Sequence, residues 1–132
     1  MPEAVFRRIL DVLENDHSFT GETFAPLHHF QEMFADVGEQ FLSPALTGPL
    51  IGLRRALRAL SIYTAYNFFV YPANARDRYC LYPELNVDRG AMGSLEEHQA
   101  YEAHAKELGD HIREVRGAYA NFRRAIKESL YI

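Results

Sequence analysis

Tyr101, Ala105, Leu108, Ile112, Val115, Tyr119, Phe122 and Ile126 recur at alternating spacings of four and three residues. An apolar stripe of that period covers one side of an α-helix and lies in a seam against other helices. A helix of this kind needs helical partners, so the chain reads as all-α: an up-and-down four-helix bundle with a long ordered crossover, about 72–93, before a long C-terminal helix.

The remaining apolar positions supply the partners. Phe6, Ile9, Leu10 and Leu13 give one face to a first helix over 3–15, and Pro2 suits its first position. Leu27, Phe30, Phe34, Val37 and Phe41 predict a second helix over 23–41, capped by Thr23 and carrying Pro26 in its first turn. Ser43-Pro44 and Gly48-Pro49 mark the next turn. Leu50, Leu53, Leu57, Leu60, Thr64 and Asn67 then predict a third helix over 49–71, apolar on nearly every side from Ile62 onward and ended by Pro72.

Segment 72–93 is broken by Pro72, Pro83, Gly90 and Gly93, yet it carries Tyr79, Cys80, Leu81, Tyr82, Leu85, Val87 and Met92. It reads as a loop folded over the bundle. Ser94 and Glu97 form a capping box that opens the fourth helix. Its acids gather in the first half and its bases in the second, which complements the helix macrodipole.

Run from 94 to 129, the fourth helix would be about 54 Å long at ~1.5 Å per residue, against about 35 Å for 49–71. Shorter partners leave part of it uncovered, which suggests a second subunit.

Composition removes several classes. With 132 residues, 48% of them hydrophobic, the chain is long enough to bury a core as a single helical-bundle domain over 1–132. Net charge −4 argues against a general nucleic-acid binder. Cys80 is the single cysteine, so no intramolecular disulfide can form. Residues 59–75 carry no formal charge but are too short and too polar to span a bilayer. With no apolar leader at the N-terminus, a cytoplasmic protein without membrane contact is expected.

Three groups of residues could carry chemistry. His104, Glu107 and His111 share one face of the fourth helix, where imidazole and carboxylate could hold a divalent metal. Against that, half-exposed histidines beside a seam are common, and His-Glu-x-x-His is absent. Arg54, Arg55 and Arg58 form a basic patch in a stretch, 43–72, without any acid. Arg76 and Arg78, interleaved with Tyr79 and Tyr82, could extend it toward nucleic acid or a protein partner. The bland alternative pairs these arginines with the acidic first and second helices. Cys80 lies near Arg76 and Arg78, which could lower a thiol pKa, although a lone cysteine is commonly a buried apolar residue. Gly-x-Ser-x-Gly, Cys-x-x-Cys and a phosphate-binding glycine loop are all missing.

The leading expectation is a non-catalytic helical interaction or assembly subunit, a homo-oligomer or the partner of a larger protein, with no cofactor. A nucleic-acid-contacting subunit and a metal-binding helical enzyme or sensor are the alternatives.

Overall fold

The computed structural model describes residues 3–37, 44–72, 77–86 and 93–130; the side chains of 33–37 and 130 lie outside that description. The described chain is mostly helical: α1 (Glu3–Asp16), α2 (Gly21–Val37), α3 (Pro44–Asn67) and α4 (Leu95–Leu130). A small antiparallel sheet joins them, with β1 (Ser18–Thr20), β2 (Phe68–Val70) and β3 (Arg78–Leu81) in the order β1-β3-β2. A 3-10 turn, Pro83–Leu85, follows β3.

The heptad seam is the spine of the core. Leu108, Ile112, Val115, Tyr119 and Phe122 are buried, and Tyr101, Ala105 and Ile126 pack partly buried against them. Phe6, Ile9, Leu10 and Leu13 bring in α1, Phe24, Leu27 and Phe30 bring in α2, and Leu50, Leu53, Leu57 and Leu60 bring in α3. Phe6 stacks on Tyr119 with ring centroids 4.0 Å apart, which locks α1 to α4. Burying one such side chain contributes about 1.5–3 kcal/mol.

Ion pairs follow the same line. Arg116 reaches Asp11 at 2.8 Å and Glu14 at 3.5 Å, while Arg123 reaches Glu3 at 3.5 Å. Asp11 and Glu14 are thus matched by an arginine of α4, whereas Asp16, at the end of α1, meets Arg78 of the expected basic group at 3.5 Å, so that arginine does pair with the acidic first helix.

The helix ends explain where the chain turns. Ser94 Oγ accepts from the Glu97 N–H at 3.1 Å, and the Ser94 hydroxyl donates to the Glu97 carboxylate at 3.0 Å. That is the expected cap, with the glutamate reaching the serine hydroxyl. For α2 the cap is Thr20 and not Thr23: Thr20 Oγ1 accepts from the Thr23 N–H at 3.0 Å. The helix therefore starts at Gly21, and Pro26 falls in its second turn, on the exposed side. α3 likewise begins earlier than expected, at Pro44, so Gly48-Pro49 lies inside the helix and does not break it. Pro44 suits a first helical position because its missing N–H would have had no partner there. Residues 38–43, which hold the expected end of the second helix up to Phe41 and the start of the expected turn at Ser43, lie outside the described residues.

The largest correction concerns 68–81. The expected third helix ends at Asn67, four residues early, because Phe68–Val70 pairs with β3. Two adjacent phenylalanines and a valine favour a pleated strand over a helix end. Asn67 fixes the switch: its Nδ2 donates to the Tyr63 carbonyl at 2.9 Å, and its Oδ1 accepts from the Tyr82 hydroxyl at 2.7 Å. The segment read as one crossover loop thus holds β3, the central strand, and the 3-10 turn.

His17 and Tyr82, both with positive φ (52° and 34°), turn the chain into β1 and out of β3. The left-handed region is costly for a residue with a side chain, and local hydrogen bonds hold it here. The His17 carbonyl accepts from Leu81 N–H at 2.9 Å, and the Tyr82 N–H donates to the Asn67 carbonyl at 3.4 Å.

Candidate interaction surface and the polar residues around it

The inner side of α3 is spent on the core, and its last two turns leave apolar groups outside. Leu60, Tyr63 and Thr64 are buried, whereas Ile62 is 48% and Tyr66 76% exposed. Ile62 and Tyr66 share a shallow depression of about 360 Å³ with Ala59, Tyr63, Asn67 and His111. Phe69 and Val70 follow on β2, 44% and 41% exposed. Scattered exposed apolar residues are ordinary, but four within nine positions of an uncharged segment mark a surface that gains from being covered.

β2 adds unpaired backbone. Among the described residues it pairs with β3 on one side only. Tyr71 N–H donates to the Arg78 carbonyl and Tyr82 N–H to the Asn67 carbonyl, and Phe69 pairs with Cys80 in the same register. In an antiparallel ladder alternate residues point their peptide groups the same way. Asn67, Phe69 and Tyr71 therefore turn toward β3, and Phe68 and Val70 turn toward the open edge. Among the described residues no partner meets the Val70 peptide groups there.

The expected basic stripe is divided in space. Arg54, Arg55 and Arg58 line a groove of about 350 Å³ between α2 and α3, together with Gln31 and Ile51. Gln31 is tied to α3 by the Ser61 hydroxyl, which donates to its Oε1 at 3.3 Å. Arg78 sits on the central strand with its guanidinium 3.5 Å from the Asp16 carboxylate. Arg76 lies outside the described residues. Both tyrosines are engaged within the fold. Tyr79 packs beside Phe19 with centroids 5.3 Å apart, and Tyr82 stacks on the His104 ring at 4.0 Å while its hydroxyl bonds Asn67.

The histidine face of α4 is likewise occupied by tyrosines. His104 carries Tyr82 on its ring, and its carbonyl accepts from the Tyr63 hydroxyl at 2.8 Å. The His111 ring lies 5.0 Å from Tyr63. Among the described residues no three His, Cys, Asp or Glu side chains come together as a group that could hold a metal ion, so His104, Glu107 and His111 are not gathered into one. Packing on neighbouring tyrosines turns the rings to aromatic neighbours, whereas a metal needs their lone pairs to converge. Burial pushes the Tyr63 phenol well above the usual tyrosine range, with the Glu107 charge adding to the effect and Tyr82 contributing further. Cys80 is fully buried, its Sγ 4.0 Å from the Tyr71 carbonyl, so the thiol is a packed core group with no access to substrate.

One polar cluster escaped sequence reasoning. His17 Nδ1 lies 2.5 Å from the Tyr101 hydroxyl, which also accepts from Asn86 Nδ2 at 3.2 Å. It ties the α1–β1 corner and the end of the 3-10 turn to the first half of α4. His17 and Tyr101 are 84 positions apart, so no spacing rule could have joined them. Compared with protein-family models, characterised proteins and solved structures, the chain matches none. No described helix is long and apolar enough to cross a membrane.

Proposed function

We propose that this protein is a non-catalytic assembly subunit that docks onto protein through the uncharged end of α3 and edge of β2, where Ile62, Tyr66, Phe69 and Val70 are exposed. The observation that carries the reading is the exposure of these four apolar side chains beside an open strand edge. A lone domain gains nothing from keeping Tyr66 in water, whereas aromatic residues are enriched where partners bury them. Elsewhere the polar groups are used inside the fold: His104 stacks on Tyr82, and the single thiol is buried.

The same reading takes the helices as an up-and-down four-helix bundle carrying the sheet at one end. Glu3 meets Arg123 while Asp11 and Glu14 meet Arg116, so α1 and α4 run in opposite directions. Tyr63 meets His104 and His111, and Gly48 and Pro49 share a groove with Asn121 and Ala125, which opposes α3 to α4.

Sedimentation velocity and native mass spectrometry test the function. The wild-type chain should form an assembly that the double variant Ile62→Lys, Tyr66→Glu dissolves, with unchanged helical circular dichroism. A wild-type chain that stays monomeric at every concentration, with no assembly property altered by the substitutions, removes the reading.

A second reading rests on the α2–α3 groove. The polar groups of Arg54, Arg55 and Arg58 are all donors, which suits a phosphate-rich polyanion. Binding of single-stranded nucleic acid that weakens with salt and disappears in Arg58→Glu would support it.

A further inference from the structure

We infer that the partner on this face is a second copy of the chain, and that the two copies join β2 to β2 across a two-fold axis. The inference rests on the docking reading above and deepens it.

Three observations favour a second copy. First, among the described residues nothing pairs with the outer edge of β2, and the natural cover for a strand edge is another strand. Second, the segment that supplies the exposed apolar side chains brings no formal charge of its own to a contact. Residues 59–75 carry no formal charge, so two copies of this segment meet without opposing charges of their own. Third, the hydrogen-bonding frame fits a two-fold axis. The outward groups belong to Phe68 and Val70, two residues apart with Phe69 between them. Antiparallel pairing centred on Phe69 places Val70 N–H of each copy opposite the Phe68 carbonyl of the other. Phe69 then faces its own equivalent as the closely spaced, non-hydrogen-bonded pair of the ladder. The three-stranded sheet becomes a continuous six-stranded one, and Ile62 and Tyr66 flank the junction from α3. A two-fold contact of this kind is closed, so it gives a dimer and not a fibre.

This geometry is specific enough to test. Because Phe69 also pairs with Cys80 within the chain, the cross-link is sought in a Cys80→Ala background. In that background Phe69→Cys should yield a disulfide-linked dimer on mild oxidation, whereas Ala25→Cys, exposed on α2, should not. Separately, Val70→Pro in the otherwise wild-type chain removes the outward N–H and leaves the β3-facing groups of Phe69 and Tyr71 in place. It should turn the dimer into monomer with helical circular dichroism retained. Hydrogen exchange on the wild-type chain needs no substitution: the Val70 amide should become at least tenfold more protected as concentration rises. An assembly that Ile62→Lys, Tyr66→Glu dissolves, but that forms no Phe69→Cys cross-link and leaves Val70 exchange unchanged, overturns strand pairing while the docking face stands. A chain without any assembly takes both away.

Discussion

At the scale of single residues, stability rests on a few side chains with no water around them. Ile112 and Val115 are 0% exposed at the middle of the seam, where α1, α3 and α4 share the core. Ile112→Ala should cost on the order of 2–5 kcal/mol, read from chemical denaturation, because neighbouring helices cannot close the cavity completely. A negligible cost would mean the seam does not hold the helices. Tyr63 makes a different prediction. Its phenol is held above the ordinary value of 10.0, so near that pH the folded chain keeps a proton that the unfolded chain loses. The stabilisation is fully present below pH 10 and falls as pH rises above it. Denaturation midpoints compared on the two sides of pH 10 should drop less in Tyr63→Phe than in the wild type. An equal drop would show that other groups set the alkaline limit. The residues of the candidate surface were readable in part. The sequence marks Ile62 and Tyr66 only as part of a helix end that is apolar on nearly every side, to be buried centrally or at an interface, and the structure leaves both exposed. The contact of His17 with Tyr101 was invisible, since a hydrogen bond across most of the chain leaves no trace in local spacing.

At the scale of elements, caps and strand formers decide where each piece begins and ends. The Ser94–Glu97 cap was plain in the sequence because both partners lie within one turn. The sequence favours Thr23 over Thr20 as the cap, but capping depends on which residue leaves the helix, and β1 settles that by holding Ser18–Thr20 extended. Ser94→Ala and Thr20→Ala should each lower stability by about 1 kcal/mol. Amide exchange should locate the loss in the first turn of α4 for one and of α2 for the other. Loss spread evenly over all helices in both variants would contradict a local cap. The hairpin of β2 and β3 carried a signal that periodicity hid. Phe68–Val70 and Arg78–Leu81 are short aromatic or branched runs separated by turn formers. The helical stripe of α3 ran straight into the first run, and three residues are too few to override it by pattern alone.

At the scale of the whole molecule, α4 outruns its helical partners, but the sheet side takes up part of the difference. Tyr101 and His104, on the first turns of α4, meet His17, Asn86 and Tyr82 from the corner of the sheet and the 3-10 turn. Excess helix length is therefore no longer the argument for a second subunit; the uncovered end of α3 and the free edge of β2 are. If the copies associate there, thermal unfolding should shift upward with protein concentration by mass action. The Ile62→Lys, Tyr66→Glu variant should melt at a temperature independent of concentration. The sequence alone determined that the chain is mainly helical, which residues form the seam, and which faces of α1, α3 and α4 turn inward. Those properties follow from apolar periods within single elements, and a period is local. The tertiary structure decided that Phe68–Val70 and Arg78–Leu81 become strands of a sheet, that the arginines divide between a groove and a strand, and that His104 and His111 lie against tyrosines. Those outcomes depend on which elements meet, and meeting is settled by the free energy of the whole core, which no single stretch of sequence contains.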